Sequence, residues 1–260
     1  MDFLFSKYHG AGNDFILINN LEGKIKLTTE QISLLCHRNL GIGSDGLILV
    51  ESSQVADFKM VYYNADGNEG SMCGNGGRSV AAFAMNEKIV PEKCVFEAFD
   101  GLHHAEVQSI SPSKFHVTIS MKDVNSFDLT QNRLIVNTGS PHYVAVSDKL
   151  ATHDVVKEGK KIRNDKTISS EGINVNFMEL INNEIHMRTY ERGVENETLS
   201  CGTGVTATAI AANLWFGIKS PVIHTRGGDF KVHLERDENR FFNIILDGPV
   251  KFVFNGKATI

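Results

Sequence analysis

The chain has 260 residues, 42% of them hydrophobic and 22% charged, with a formal net charge of −5. That composition describes a globular protein long enough for one large domain or two of ordinary size, and its acidic balance argues against nucleic-acid binding. No apolar run approaches the ~20 residues of a membrane span, and the opening MDFLFSKYHGAG lacks the basic start and long apolar core of a secretion signal, so a cytoplasmic setting is expected.

In chain order, GAGNDFILI reads as a turn followed by an apolar strand, and TTEQISLLCHRN as an amphipathic helix with a Thr N-cap and an Asn stop. GLILVE and DFKMVYYN read as strands. A loop and a glycine turn at Cys73 then lead into a helix over SVAAFAMN. KFHVTIS is a further strand, and SMKDVNSFDLT marks a boundary without a low-complexity linker. Beyond it TGSPHYVAV is again turn and strand, EIHMRTYE a strand, and TATAIAANLWF a helix with Gly217 as its C′ residue and Pro221 beyond. FKVHLE and NIILDGPVKFVF complete the strands.

An internal repeat organises these elements. CGNGGRSVAAFA starts at Cys73, and CGTGVTATAIAA starts at Cys201, 128 residues later, with five of twelve positions identical. At the same offset Tyr62 aligns with Tyr190, Asn68 with Asn196 and Glu69 with Glu197. The helix after each cysteine lacks a wide polar face, the mark of a helix buried all round. The expected fold is α/β (α+β), with two pseudo-symmetric domains. Each is a curved, mostly antiparallel sheet or barrel around one central buried helix, with the active site in the cleft between them. Residues 1–119 form the first half, with 250–260 returning to it, and residues 120–249 the second.

The four cysteines, at 36, 73, 94 and 201, form no CxxC pair and suit neither a zinc site nor a disulfide framework. Cys36 and Cys94 read as small buried hydrophobes. Cys73 and Cys201 read as more than packing because each precedes glycines at a helix start. Such a start carries outward N–H groups and positive dipole charge, which favour a thiolate and bind a carboxylate or phosphate. A phosphate site stays open on spacing alone, although neither turn fits GxxxxGK[ST] or GxGxxG. Two opposed thiols suit a symmetric proton transfer, in which one thiolate removes a proton from carbon while the other thiol returns one to the opposite face.

At these residues the sequence resembles the diaminopimelate epimerase family. The resemblance runs the whole chain through HGAGNDF, GIGSDGLILV, YYNADGNEGSMCGNGGRS, NTGSPHYV, GINVNFM, YERGVENETLSCGTG and DGPVKFVF. It implies an isomerase that interconverts LL- and meso-diaminopimelate, on the route to lysine and peptidoglycan, without pyridoxal phosphate or metal. Cys73 and Cys201 match the acid–base pair. Gly74, Asn75, Gly202 and Thr203 match helix-start groups that hold the reacting α-carboxylate. Asn13, Asn64, Asn174, Glu191 and Arg192 match substrate-binding positions, and His142 and Glu191 match supporting ones. A small amino-acid substrate is the expected partner, with no nucleic acid or membrane, and a homodimer is common in the family.

Two positions depart from the pattern. Ser140 stands in GSPH where many members have Asn, and Gly46 stands where many carry Gln, so a side-chain contact there is lost. The rival readings are a proline or hydroxyproline racemase, a non-catalytic binding protein of the same fold, and a disulfide oxidoreductase.

Overall fold

The computed structural model describes residues 2–70 and 72–260. The chain divides into two units: one runs up to Ile119 and takes in Gly248–Ile260, the other is Ser120–Asp247.

In the first unit β1 (Asp2–Gly10) and β2 (Asn13–Asn19) form a hairpin, followed by α1 (Thr29–Cys36), β3 (Gly46–Glu51), β4 (Phe58–Asn64), α2 (Gly74–Asn86), β5 (Lys93–Ala98), β6 (Gly101–Ser111) and β7 (Lys114–Ser120). The hairpin turns on Ala11 and Gly12, both at positive φ (51° and 88°), as a two-residue turn between twisted strands demands. The Thr N-cap of α1 is Thr28, in a capping box with Gln31. The helix stops before the predicted Asn, because His37 is already extended and its Nδ1 accepts from the N–H groups of Asn39 and Leu40.

The second unit repeats this order, with a short lead-in strand β8 (Phe127–Leu129). Then come β9 (Arg133–Asn137), β10 (Pro141–Val146), α3 (Val155–Arg163), β11 (Asn174–Ile181), β12 (Glu184–Glu191), β13 (Asn196–Thr198), α4 (Gly202–Phe216), β14 (Val222–Thr225), β15 (Gly228–Asp237) and β16 (Arg240–Thr259). NIILDGPVKFVF lies within β16, whose first part belongs to this unit and whose second part belongs to the first.

Among the described residues, eight strands of the first unit run in the order β1-β2-β3-β4-β5-β6-β7-β16, and pairing of β1 with β16 closes them into a barrel. In the second unit the order is β16-β15-β14-β12-β11-β10-β9-β8, with Val124 bridging to Phe241. Pairing is mostly antiparallel. Each unit carries two parallel pairs, β2–β3 and β4–β5 in one, β10–β11 and β12–β14 in the other. A helix connects the strands of each parallel pair, as parallel neighbours require.

α2 and α4 are the central helices. Every residue from Gly74 to Ala84 is buried, and so is every residue from Gly202 to Ala212. Both begin directly after the cysteine, so the predicted glycine turn is the first helical turn. Small residues let the strands approach closely: a Cβ on Gly77 would lie 3.3 Å from Phe96 Cζ on β5 and 3.4 Å from Ile119 Cδ1 on β7. α4 ends at Gly217, left-handed at φ 72°, where glycine adopts the conformation at little cost.

α4 packs against β9, β10, β11, β12, β14 and β15 of the second unit. Val205 and Ile210 are fully buried, each contributing about 1.5–3 kcal/mol by burial. Ile210→Ala is expected to destabilise this unit by about 2–5 kcal/mol, transfer plus cavity cost. Trp215, the single tryptophan, lies on the same helix. Its fluorescence during urea unfolding checks the expectation; an unchanged midpoint contradicts it.

Candidate active site

Cys73 is the N-cap residue of α2, in extended backbone, and the first ladder bond runs from Gly77 N–H to Cys73 O at 2.7 Å. The N–H groups of the first turn therefore lie outside the helix's own ladder. The end of β1 presses on that turn: a Cβ at Gly10 would lie 2.9 Å from Asn75 O. The β1–β2 hairpin thereby delivers Asn13, the first residue of β2, beside the helix start. Cys73 Sγ lies 3.6 Å from Asn13 Oδ1, and Asn75 Nδ2 donates to the same oxygen at 3.3 Å.

Two charged groups fix these amides. Asp45 Oδ2 accepts from Asn13 Nδ2 at 2.8 Å. A carboxylate only accepts, so the Asn13 carbonyl must face the thiol. Arg78, fully buried, donates to Asn75 Oδ1 at 2.6 Å and to Gly74 O at 3.1 Å. Arg38 bridges Asp45 and Asp14 at 2.7 and 2.8 Å, and buried Lys7 reaches Asp14 at 2.7 Å. Burial alone raises the Asp14 pKa, but hydrogen bonds from Arg38 and Lys7 outweigh it and hold it at about 2.

Asn64 ends β4, exposed, and its backbone closes the NADGN turn through bonds with Asn68 and Gly67. Gly46, one of the two departures, opens β3 directly between Phe15 on β2 and Asn64 on β4.

In the second unit Cys201, buried, is the N-cap of α4. Its Sγ lies 3.4 Å from Thr203 Oγ1. Thr203 Oγ1 meets His142 Nε2 at 2.8 Å and Ser140 Oγ at 3.1 Å, and its carbonyl accepts from Thr138 at 2.8 Å. Behind the ring, Asn176 Nδ2 meets His142 Nδ1 at 3.0 Å while Asn176 Oδ1 accepts from Thr189. Nδ1 is therefore the ring's acceptor and Nε2 carries the hydrogen. Burial, followed by the charge on Arg192, pushes the His142 pKa down to about 3. His142 is thus a neutral donor near neutral pH.

Ser140, the other departure, joins this network. Its Oγ lies 3.0 Å from His142 Nε2 and accepts from Asn174 Nδ2 at 3.1 Å. Asn174 Oδ1 in turn accepts from Arg192 N–H at 2.9 Å, which fixes the turn after β12 where Glu191 and Arg192 sit. A Cβ at Gly204 would come within 2.5 Å of Asn176 Oδ1, so the backbone must be bare there.

The structure thus gathers Asn13, Cys73, Gly74 and Asn75 at one helix start. It gathers His142, Asn174, Arg192, Cys201, Gly202 and Thr203 at the other, with Asn64 and Glu191 closing the adjoining strands. Sequence reading missed Asp45, Arg78, Asn176 and Thr138. Arg78 gave one signal, a charge inside an otherwise small and apolar helix; Asn176 gave another, an amide on the same strand face as Asn174.

Cys36 and Cys94 are buried. Burial raises both pKa values, that of Cys94 to about 11, which keeps them as thiols. Among the described residues, Glu184, His186 and His224 bring ligand atoms within 4.8 Å of one another. Glu184 and His186 lie at the far end of β12 from Glu191, on the face opposite buried Ile185 and Met187, and His224 pairs with His186 from β14. No helix among the described residues is long and apolar enough to cross a membrane.

Solved structures with this fold include a hydroxyproline epimerase from Agrobacterium vitis with bound trans-4-hydroxy-L-proline. It has a TM-score of 0.74 at 13% identity, over 99% of this chain and 92% of that one. A phenazine biosynthesis protein of the PhzF family from Bacillus anthracis has a TM-score of 0.79 at 14% identity, over 100% of both chains. These likenesses show the fold: two units, each built around a cysteine-capped helix.

The profile of the family described as Diaminopimelate epimerase matches residues 5–125 and 134–253. The chain is 47% identical to the diaminopimelate epimerase of Flavobacterium psychrophilum over 252 residues, 95% of this chain and 97% of that protein. It is 39% identical to that of Chlorobaculum tepidum over 255 residues, 96% and 99%. The chain belongs to the diaminopimelate epimerase family.

The lowered pKa of His142 has a definite sign. Between about pH 6.5 and pH 3 the unfolded chain takes up a proton that the folded chain refuses. The stability from a neutral His142 is therefore complete above pH 6.5 and lost as pH falls toward 3. Unfolding of the second unit, followed by Trp215 fluorescence, is expected to lose up to about 1.4 kcal/mol per pH unit across that window. His142→Asn removes this component; equal slopes in the two proteins contradict it.

Proposed function

We propose that Cys73 and Cys201 are the acid–base pair with which this isomerase interconverts LL- and meso-diaminopimelate. The observation that carries the reading is the pair of equivalent helix starts. Each is buried in its own barrel and capped by a cysteine, and each is backed by a side chain from the start of the second strand, Asn13 or His142.

The chemistry follows from these parts. One thiolate takes the α-proton and becomes a thiol; the other thiol gives its proton to the opposite face of the carbon and becomes the thiolate. This requires the two thiols to act on opposite faces of one α-carbon. The first-turn N–H groups of Gly74, Asn75, Gly202 and Thr203 hold the α-carboxylate and stabilise the charge that develops beside it. Desolvation of the bound carboxylate strengthens that interaction. Arg192 takes the distal carboxylate and Glu191 the distal ammonium, with Asn64 and Asn174 supplying amide contacts. His142, neutral, carries no proton in the reaction; it orients Thr203. The reducing cytoplasm suits a mechanism that needs both cysteines reduced.

The hydrogen-bond wiring supports one starting state. Asn13 presents an acceptor to Cys73, which favours a thiol. Thr203 Oγ1 accepts from His142 Nε2–H, and its own hydrogen can go to Cys201 Sγ at 3.4 Å or to Ser140 Oγ at 3.1 Å; the first arrangement favours a thiolate. In this reading Cys201 begins as the base and Cys73 as the acid.

The decisive assay is epimerisation of LL-diaminopimelate under reducing conditions without added cofactor, with α-proton exchange followed in deuterated solvent. Cys73→Ala and Cys201→Ala are each expected to lose at least about 10³-fold in turnover with melting temperature preserved. Turnover of proline but not of diaminopimelate would sink the reading. Thiolate ultraviolet absorbance at neutral pH is expected to persist in Cys73→Ala and to vanish in Cys201→Ala; the reverse pattern overturns the assignment of the starting base.

A further inference from the structure

A single aromatic ring in the first unit sits between two glycines. Tyr62 lies on β4 two residues before Asn64, on the strand face shared with buried Phe58 and Met60. That face looks toward α2: a Cβ at Gly76, in the first turn, would lie 3.1 Å from Met60 Cε. Tyr62 is thus next in line toward the mouth of the barrel, where the helix start and Asn64 are, and it is half-buried.

Both edges of the ring abut backbone. A Cβ at Gly46 would lie 2.5 Å from Tyr62 Cε2 and 3.1 Å from its hydroxyl oxygen. A Cβ at Gly70 would lie 2.6 Å from Cε1 and 3.1 Å from Asn64 Nδ2. Phe15, two residues after Asn13, meets the ring edge-on with centroids 6.0 Å apart. Gly70 N–H donates to Tyr62 O at 2.8 Å, which holds the NADGN loop against the strand.

The register shows what the slot is for. Gly46 pairs with Phe15 on one side and with Asn64 on the other. A side chain at position 46 would therefore emerge between the strands that carry Asn13 and Asn64. Here that place is filled from the neighbouring strand by the hydroxyl end of Tyr62. Glycine inside or beside a strand is destabilising relative to alanine. Two such positions seat one ring at the mouth of a half-site.

We infer that Tyr62 is a specificity-determining, substrate-contacting residue of the Cys73 half-site. Its ring walls the aliphatic chain of a linear amino-acid substrate, and its hydroxyl hydrogen-bonds a polar group of that substrate, the role left open by Gly46. This rests on the function proposed above. An aromatic face with a polar tip suits a ligand that is methylene in the middle and charged at its ends. The hydroxyl both donates and accepts, so it can serve either an ammonium or a carboxylate.

The test is steady-state kinetics with LL-diaminopimelate on Tyr62→Phe, Gly46→Gln and the double variant Gly46→Gln/Tyr62→Ala, with melting temperatures. Tyr62→Phe keeps the ring, and hence the fold. It is expected to raise KM about tenfold, the scale of one lost hydrogen bond to a charged group, while kcat stays within about threefold. Gly46→Gln alone is expected to lower both melting temperature and kcat/KM, because its side chain meets the ring. In the double variant the amide occupies the vacated space and KM returns to within about threefold of the parent. An active parent with an unchanged KM in Tyr62→Phe overturns this inference and leaves the proposed function standing. A parent inactive on diaminopimelate overturns the proposed function itself.

Discussion

Everything in this molecule answers to the burial of a helix start. A helix placed wholly inside a barrel takes its first-turn N–H groups out of water, and each such donor left unsatisfied costs about 1–3 kcal/mol. α2 and α4 face that constraint at the same structural position, each with a cysteine as N-cap that makes no side-chain cap bond. A Ser or Asp at that position would ordinarily accept from a first-turn N–H; a cysteine in its place puts a thiol at the positive end of the helix dipole instead. The small residues of both helices, the bare backbone at Gly204 and the close passage of Gly10 all serve to bring strands near enough to support that site.

The two halves support it by the same route with different chemistry. In each, the residue at the start of the second strand bonds the second residue of the helix: Asn13 to Asn75 in one, His142 to Thr203 in the other. Each of these is then fixed from behind, Asn13 by Asp45 and His142 by Asn176. The first relay ends in an ionic network of Asp45, Arg38, Asp14 and Lys7; the second ends in neutral groups, Asn176 and Thr189. The duplication preserved geometry and let polarity diverge, so Cys73 lies beside an amide carbonyl and Cys201 beside a hydroxyl.

Much of the fold was legible because duplication writes itself into sequence. The spacing of Cys73 and Cys201, and the strands GLILVE, EIHMRTYE and KFHVTIS, carried period and composition strong enough to be read directly. β1 and α3 did not stand out: β1 carries Ser6 and Lys7, polar residues buried through partners found only in three dimensions. For the same reason the residues that matched family motifs were visible, while their supports were not. Asp45 and Arg78 look like surface charges in a string of letters. Only the folded chain puts one against Asn13 and the other, fully buried, against Asn75. Gly46 read as a lost contact because the ring that fills its place comes from the neighbouring strand, β4, and not from its own.

The asymmetry of the relays has a natural size. A neutral hydrogen bond contributes about 0.5–1.5 kcal/mol net, so an acceptor at Cys73 and a donor at Cys201, as in the proposed starting state, bias the proton's location by roughly one order of magnitude. A bias of that size chooses a starting state without trapping it. Were either thiol paired with a full charge, as Asp14 is with Lys7 and Arg38, the preference would be large enough to slow one direction of a reversible isomerisation. The ionic network stands one residue back, behind the Asn13 amide, where it fixes the orientation of a neutral group and leaves the thiol an uncharged neighbour. Neutral His142 plays the matching part in the second unit. Its burial, which strips it of acid–base use, is what lets it orient Thr203 without adding a charge that would commit Cys201.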